Sequence, residues 1–69
     1  MTDAKIIGQR LRKLRGTKSM EEVANAVGIS LTALSEYEKG LRIPNDSAKL
    51  RIADYYGVMV EALFFKKPG

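Results

Sequence analysis

The sequence predicts an all-α fold, a compact bundle of five short helices, and three observations predict it. Apolar residues recur at helical spacing, with Ile7, Leu11 and Leu14 forming the first stripe. The helical stretches are punctuated by a capping residue before and a glycine after, as in Ser19 to Gly28 and Ser30 to Gly40. At 69 residues the chain has room for one domain and a modest core.

The elements follow in order. Thr2 or Asp3 caps a first helix running to about Arg15, and Gly16 stops it. Ser19, with Glu22 three residues later, makes a capping box for a second helix over about 20–27. Ser30 caps a third helix that ends near Lys39, with Gly40 as its left-handed terminus. The loop LRIPND contains Pro44 and offers Asn45 or Asp46 as the next cap. A fourth helix then reaches about Tyr56, with Leu50, Ile52, Ala53 and Tyr56 turned partly inward, and Gly57 ends it. Val60 to Phe64 form a last short turn of helix, so the domain is expected over 1–65 and a tail over 66–69.

Residues 20–39 are the most informative stretch. Two helices can cross closely only where the crossing residue is small and the turn residue tolerates a left-handed backbone, and Ala24 and Gly28 meet these demands. Val23, Val27, Ile29, Leu34 and Tyr37 supply the apolar positions that hold the pair to a core. This is the pattern of a helix-turn-helix.

Composition narrows the function. With no cysteine and no histidine, no disulfide, thiolate zinc site or imidazole chemistry is available, and no metal or cofactor is expected. No phosphate-cradling glycine loop is present and the carboxylates fall on helix surfaces, so an enzyme is not expected. No apolar run approaches a membrane span and no signal-peptide core is seen, which predicts a soluble, cytoplasmic protein with no membrane partner. The net charge of +4 suits a polyanion partner. Its distribution is uneven: residues 1–18 carry +5, 19–38 carry −4 and 39–53 carry +3. The helix-turn-helix is therefore acidic, between basic flanks.

With the flanks IGQRLRKLR (7–15), SEYEKGLRIP (35–44) and LRIADYYGVMVEALF (50–64), the motif resembles the lambda-repressor-like family of phage repressors and Cro-type proteins, also called the xenobiotic-response-element family. The resemblance spans about residues 6–65. It implies a five-helix DNA-binding domain whose second and third helices form the helix-turn-helix. Members commonly have two more residues between the first helix and the cap of the second, so residues 15–19 must form a tighter turn or the first helix must be shorter.

On this resemblance the third helix enters the major groove. Leu31, Thr32, Ser35 and Glu36 point outward, because Leu34 and Tyr37 face the core; Leu31, Thr32 and Glu36 match positions that contact bases. Leu31 can meet a thymine methyl or be a surface leucine. Thr32 discriminates weakly, and Glu36 can accept from a cytosine amino group or be a surface charge. The caps Ser19 and Ser30 set helix N-termini where free N–H groups favour phosphate. The family's phosphate-binding glutamine after the first cap is replaced by Met20, which leaves only its backbone for that contact. Lys39 and Arg42 match backbone-phosphate positions, with Arg10 and Lys13 as weaker candidates. Arg15 and Glu38 match an internal ion pair joining the first helix to the end of the third.

The leading reading is a sequence-specific double-stranded DNA-binding regulator, a repressor, acting as a homodimer on an inverted repeat. The dimer interface is sought in Val58, Val60, Phe64 and Phe65, within an apolar stretch that includes Met59 and Leu63. No small-molecule ligand is evident. The alternative is a protein-interaction module of antitoxin-like or anti-regulator type, which the −4 charge, Leu31 and the missing glutamine favour.

Overall fold

Each helix begins where local chemistry supplies a cap. The computed structural model describes residues 3–67, in the order α1 (Ala4–Arg15), α2 (Met20–Val27), α3 (Leu31–Glu38), α4 (Asp46–Tyr56) and α5 (Glu61–Phe65). The side-chain oxygens of Asp3, Ser19, Ser30 and Asn45 each accept from the backbone N–H three residues on, at 2.9 to 3.0 Å. Asp3 is thus the first cap; Thr2, like Pro68 and Gly69, lies outside the described residues.

Between α1 and α2 the first helix keeps its length and the turn tightens. The Gly16 N–H donates to the Arg12 carbonyl at 3.2 Å and the Lys18 N–H to the Arg15 carbonyl at 3.1 Å. The Arg15 guanidinium reaches back to the Lys18 carbonyl at 2.8 Å. At the next turn Gly28 takes φ +83°, and the N–H groups of Gly28 and Ile29 both donate to the Ala24 carbonyl. That conformation strains any residue with a Cβ.

The core gathers Ile7 and Leu11 of α1, Val23, Ala24 and Val27 of α2, Leu34 and Tyr37 of α3, Ile52 of α4, and Leu63 and Phe64 of α5. α1 packs against α3, α2 crosses α3 and α4, and α5 closes on α1. Two expectations need correction here. Leu50 is 61% exposed, because the inward face of α4 is set by Ala48, Ile52 and Ala53, leaving Leu50 on the outer side. Leu14 is also partly exposed, at the edge of the stripe begun by Ile7 and Leu11.

Gly8 allows the closest approach made at any described glycine. A Cβ there would lie 2.5 Å from the Glu38 carbonyl oxygen and 2.8 Å from that of Tyr37, so α1 rests directly on the backbone of α3. α5 is wound more widely than an α-helix, with the Lys66 N–H donating to the Glu61 carbonyl at 2.8 Å. Arg10 secures it, donating to the carbonyls of Ala62 and Leu63 at 3.2 Å and of Lys66 at 2.6 Å. The Lys66 carbonyl, at the start of the expected tail, is thereby tied to α1.

Candidate nucleic-acid interface

α3 presents its outward face at the molecular surface, carried by α2 and braced by α1. Leu31 and Thr32 are exposed in its first turn, with Leu31 at 49%; Ser35 and Glu36 are half-buried one turn later. Ala33, Leu34, Tyr37 and Glu38 take the inward positions, which fixes the rotation of the helix. Ser30 caps this end and Ser19 caps α2, both from exposed positions. Met20, the residue after the Ser19 cap, is half-buried against the core, and this apolar packing accounts for its side chain.

Beyond α3 the chain turns at Gly40, with φ +75°, and returns Arg42 to the helix it has just left. The Arg42 guanidinium donates to Glu36 Oε1 at 2.9 Å and to the Tyr37 hydroxyl at 3.3 Å, and its carbon lies 5.2 Å from the Tyr37 ring centre. The expected base reader Glu36 and the expected phosphate contact Arg42 are thus partners in the free protein. Sequence reasoning missed this pair, which joins residues on opposite sides of a turn and depends on the glycine conformation between them. Lys39 is exposed beside them, with no ion pair to a described residue.

Arg15 and Glu38 lie together under this face. The Arg15 Nε donates to Glu38 Oε2 at 2.8 Å and Nη2 to Oε1 at 3.0 Å, a two-pronged contact that orients α3 against α1. The Glu38 side chain is completely enclosed and that of Arg15 is 17% exposed. The hydrogen bond to Glu38 holds the Arg15 guanidinium above its ordinary range, against the opposing effect of burial. Tyr56 stands nearby with its hydroxyl buried and without a partner among the described residues. Burial first, then the negative charge of Glu38, push its phenol up to about 12.

Two of the remaining assignments change. Phe64 is 1% exposed and fills the centre of the core, so it cannot present a surface to a second protomer; the turn of α5 directs Phe65 outward instead. Val58 and Val60 are half-buried against the core. Arg10, a weaker phosphate candidate, has its guanidinium engaged by the three carbonyls at the end of the chain. Lys13 remains exposed, at the rim of an apolar groove lined by Leu14, Val58, Ala62 and Leu63. Sequence reasoning also missed Arg51, which donates to the Gly28 carbonyl at 3.1 Å and ties α4 to the turn of the motif. Among the described residues, no group of three or more His, Cys, Asp or Glu is placed to hold a metal, and no helix is long and apolar enough to cross a membrane.

Two capped eight-residue helices about a left-handed glycine, the second with an open outer face and a braced inner one, define a helix-turn-helix domain. The comparisons agree with the geometry. The family model described as a helix-turn-helix domain matches residues 6–63. The chain is 35% identical over 63 residues to the uncharacterised HTH-type transcriptional regulator YazB of Bacillus subtilis (strain 168), an alignment covering 88% of this chain and 91% of that protein. No solved structure gives a significant match. The chain belongs to the lambda-repressor-like helix-turn-helix family.

Proposed function

We propose that this protein is a sequence-specific double-stranded DNA-binding transcriptional regulator, a repressor, that reads an inverted repeat as a homodimer. The observation that carries the reading is the outward face of α3, where Leu31 and Thr32 stand exposed in the first turn of a helix whose rotation is fixed from behind. The N-terminal residues of such a helix reach base edges when it lies in the major groove. Leu31 offers contact to a thymine methyl and Thr32 a hydrogen bond. The N-termini of α2 and α3 favour phosphate, and Lys39 lies at the exit of α3. The resemblance of the chain to a protein named as a transcriptional regulator supports the same reading.

Dimerisation would place two copies of α3 about one DNA turn, ~34 Å, apart. The surface that supports it is apolar and continuous through Ala62. On one side of Ala62 are Leu14 and Val58; on the other are Met59, 71% exposed, and Phe65, 46% exposed. Val58 and Phe65 line this surface and Met59 joins them, whereas Val60, half-buried against the core, lines neither groove.

A second reading rests on the Glu36–Arg42 pair. It neutralises one cation of the face and leaves a leucine at the tip, which suits a protein partner of antitoxin-like or anti-regulator type. Selection of bound duplexes from a random-sequence pool, at two salt concentrations, separates the two. Enrichment of an inverted repeat with half-sites one turn apart is the expected result. Absence of both enrichment and salt-sensitive binding would transfer the function to a protein partner, because phosphate contacts release counterions and protein contacts need not.

A further inference from the structure

On the flank of α3 that faces α1, a second group of cations converges. Lys5, Gln9 and Arg12 are spaced four and three residues apart, which places them in one row along α1. This row meets Lys39 across a shallow polar depression of about 210 Å³, with Glu38 as its remaining lining residue. Two glycines bring these residues together. Gly8 lets α1 touch the Glu38 backbone, and a Cβ on Gly40 would lie 2.9 Å from the Lys5 Cα. The Glu38 carboxylate does not balance the three cations, because both its oxygens are taken by Arg15. None of Lys5, Arg12 and Lys39 forms an ion pair with a described residue, and their side chains stand in solvent.

We propose that Lys5, Gln9, Arg12 and Lys39 form a phosphodiester-binding cradle that grips one strand of duplex DNA at the wall of the groove entered by α3. The proposal rests on the DNA-binding reading above and adds a contact outside the reading helix. Its geometry suits an extended polyanion. Seven residues of helix separate Lys5 from Arg12 by about 10 Å, enough to reach two successive phosphates of one strand. Eight residues make α3 about 12 Å long, close to the ~12 Å width of the major groove. With its first turn among the bases, the far end of α3 carries Lys39 towards the phosphate wall. Gln9, between the two cations, supplies an uncharged donor.

The test is the salt dependence of binding to a mixed-sequence duplex. The full chain is compared with Lys5→Gln/Arg12→Gln and with Lys67→Gln, which removes a positive charge outside the cradle lining. All three side chains are exposed, and melting curves confirm folding of each variant. Each phosphate contact contributes about 0.9 to the slope of log affinity against log salt, so the cradle variant is expected to lose about 1.8 per protomer and the control little. An equal loss per charge removed in both variants would assign the effect to overall charge and overturn the cradle, as would no loss in either. If the unmodified chain shows no salt-sensitive binding, the DNA-binding reading itself falls and the cradle falls with it.

Discussion

α3 carries two glutamates two residues apart, each held by an arginine, and the two pairs lie in opposite physical regimes. Arg15 and Glu38 meet at 2.8 Å with the carboxylate fully enclosed. Arg42 and Glu36 meet at 2.9 Å with side chains 56% and 36% exposed. Distance therefore does not separate them, whereas burial does. Removing one partner of the enclosed pair leaves a charge in a low dielectric, while the outer pair is screened by water and salt. The seam between α1 and α3 is shut off from water, and the outer face of the same helix is open to it.

The sharpest way to break the seam is Gly8. Alanine there gains about 1 kcal/mol of helix propensity, but its Cβ would meet the α3 backbone, where overpacking costs about 1–3 kcal/mol or more. A backbone carbonyl cannot rotate away as a side-chain tip can, so overpacking wins. Gly8→Ala is expected to lower the melting temperature. Gly8→Val, with more bulk at the same point, is expected to abolish cooperative unfolding by circular dichroism, since a chain of this size holds only ~3–5 kcal/mol in all. An unchanged melt for the valine variant would mean the helices do not touch there.

Arg15→Ala comes next, with an expected loss of ~2–4 kcal/mol because Glu38 is stranded inside. Arg15→Ala combined with Glu38→Leu should recover much of it, because the pair need not add net stability over an apolar filling. A double variant no more stable than Arg15→Ala alone would show that the pair is required as such.

Tyr56 probes the same region by pH. Its phenol is raised in the folded state from the ordinary 10.0 to about 12, so the native chain holds the proton more tightly than the unfolded chain. The resulting stability is complete below pH 10 and is lost as the pH rises from 10 towards 12. Tyr56→Phe should remove that alkaline decline, and near neutral pH it should be neutral or stabilising by up to about 1 kcal/mol, because the hydroxyl it deletes has no partner. Melting temperatures of both chains at pH 7 and across the alkaline range check both statements.

The same contrast explains what the sequence made legible. Caps act between residues three apart, so Ser19, Ser30 and Asn45 disclose α2, α3 and α4 without knowledge of the fold. The crossing at Ala24 and the turn at Gly28 are equally local. Gly8 left a signal, a glycine inside a helical stripe, whose partner lies thirty residues away and cannot be named from the stripe alone. Phe64 and Phe65 are adjacent in a helix of five residues, too short for periodicity to decide which is buried. The roles of Arg10 and Arg42 depend on where α5 and the Gly40 turn bring acceptors, so charge and position alone could not tell a tether or an ion pair from a phosphate contact.

The smallest expected effect belongs to the outer pair. Glu36→Gln and Arg42→Gln, separately and together, should give a coupling energy below about 1 kcal/mol in a double-mutant cycle of stability, because both groups remain well hydrated. A coupling of several kcal/mol would place the pair with Arg15 and Glu38 as part of the scaffold. DNA affinity should respond differently from stability. Glu36→Gln frees Arg42 from its carboxylate while leaving the Tyr37 contact, so affinity for mixed-sequence duplex should rise and the salt slope should steepen by up to about 0.9 per protomer. Arg42→Gln should leave that slope unchanged if the arginine stays with Glu36 in the complex, and reduce it by a similar amount if the arginine moves to phosphate. The sign of the Glu36→Gln effect therefore tells whether the outer pair restrains binding or organises it, a distinction that the two similar ion-pair distances cannot make.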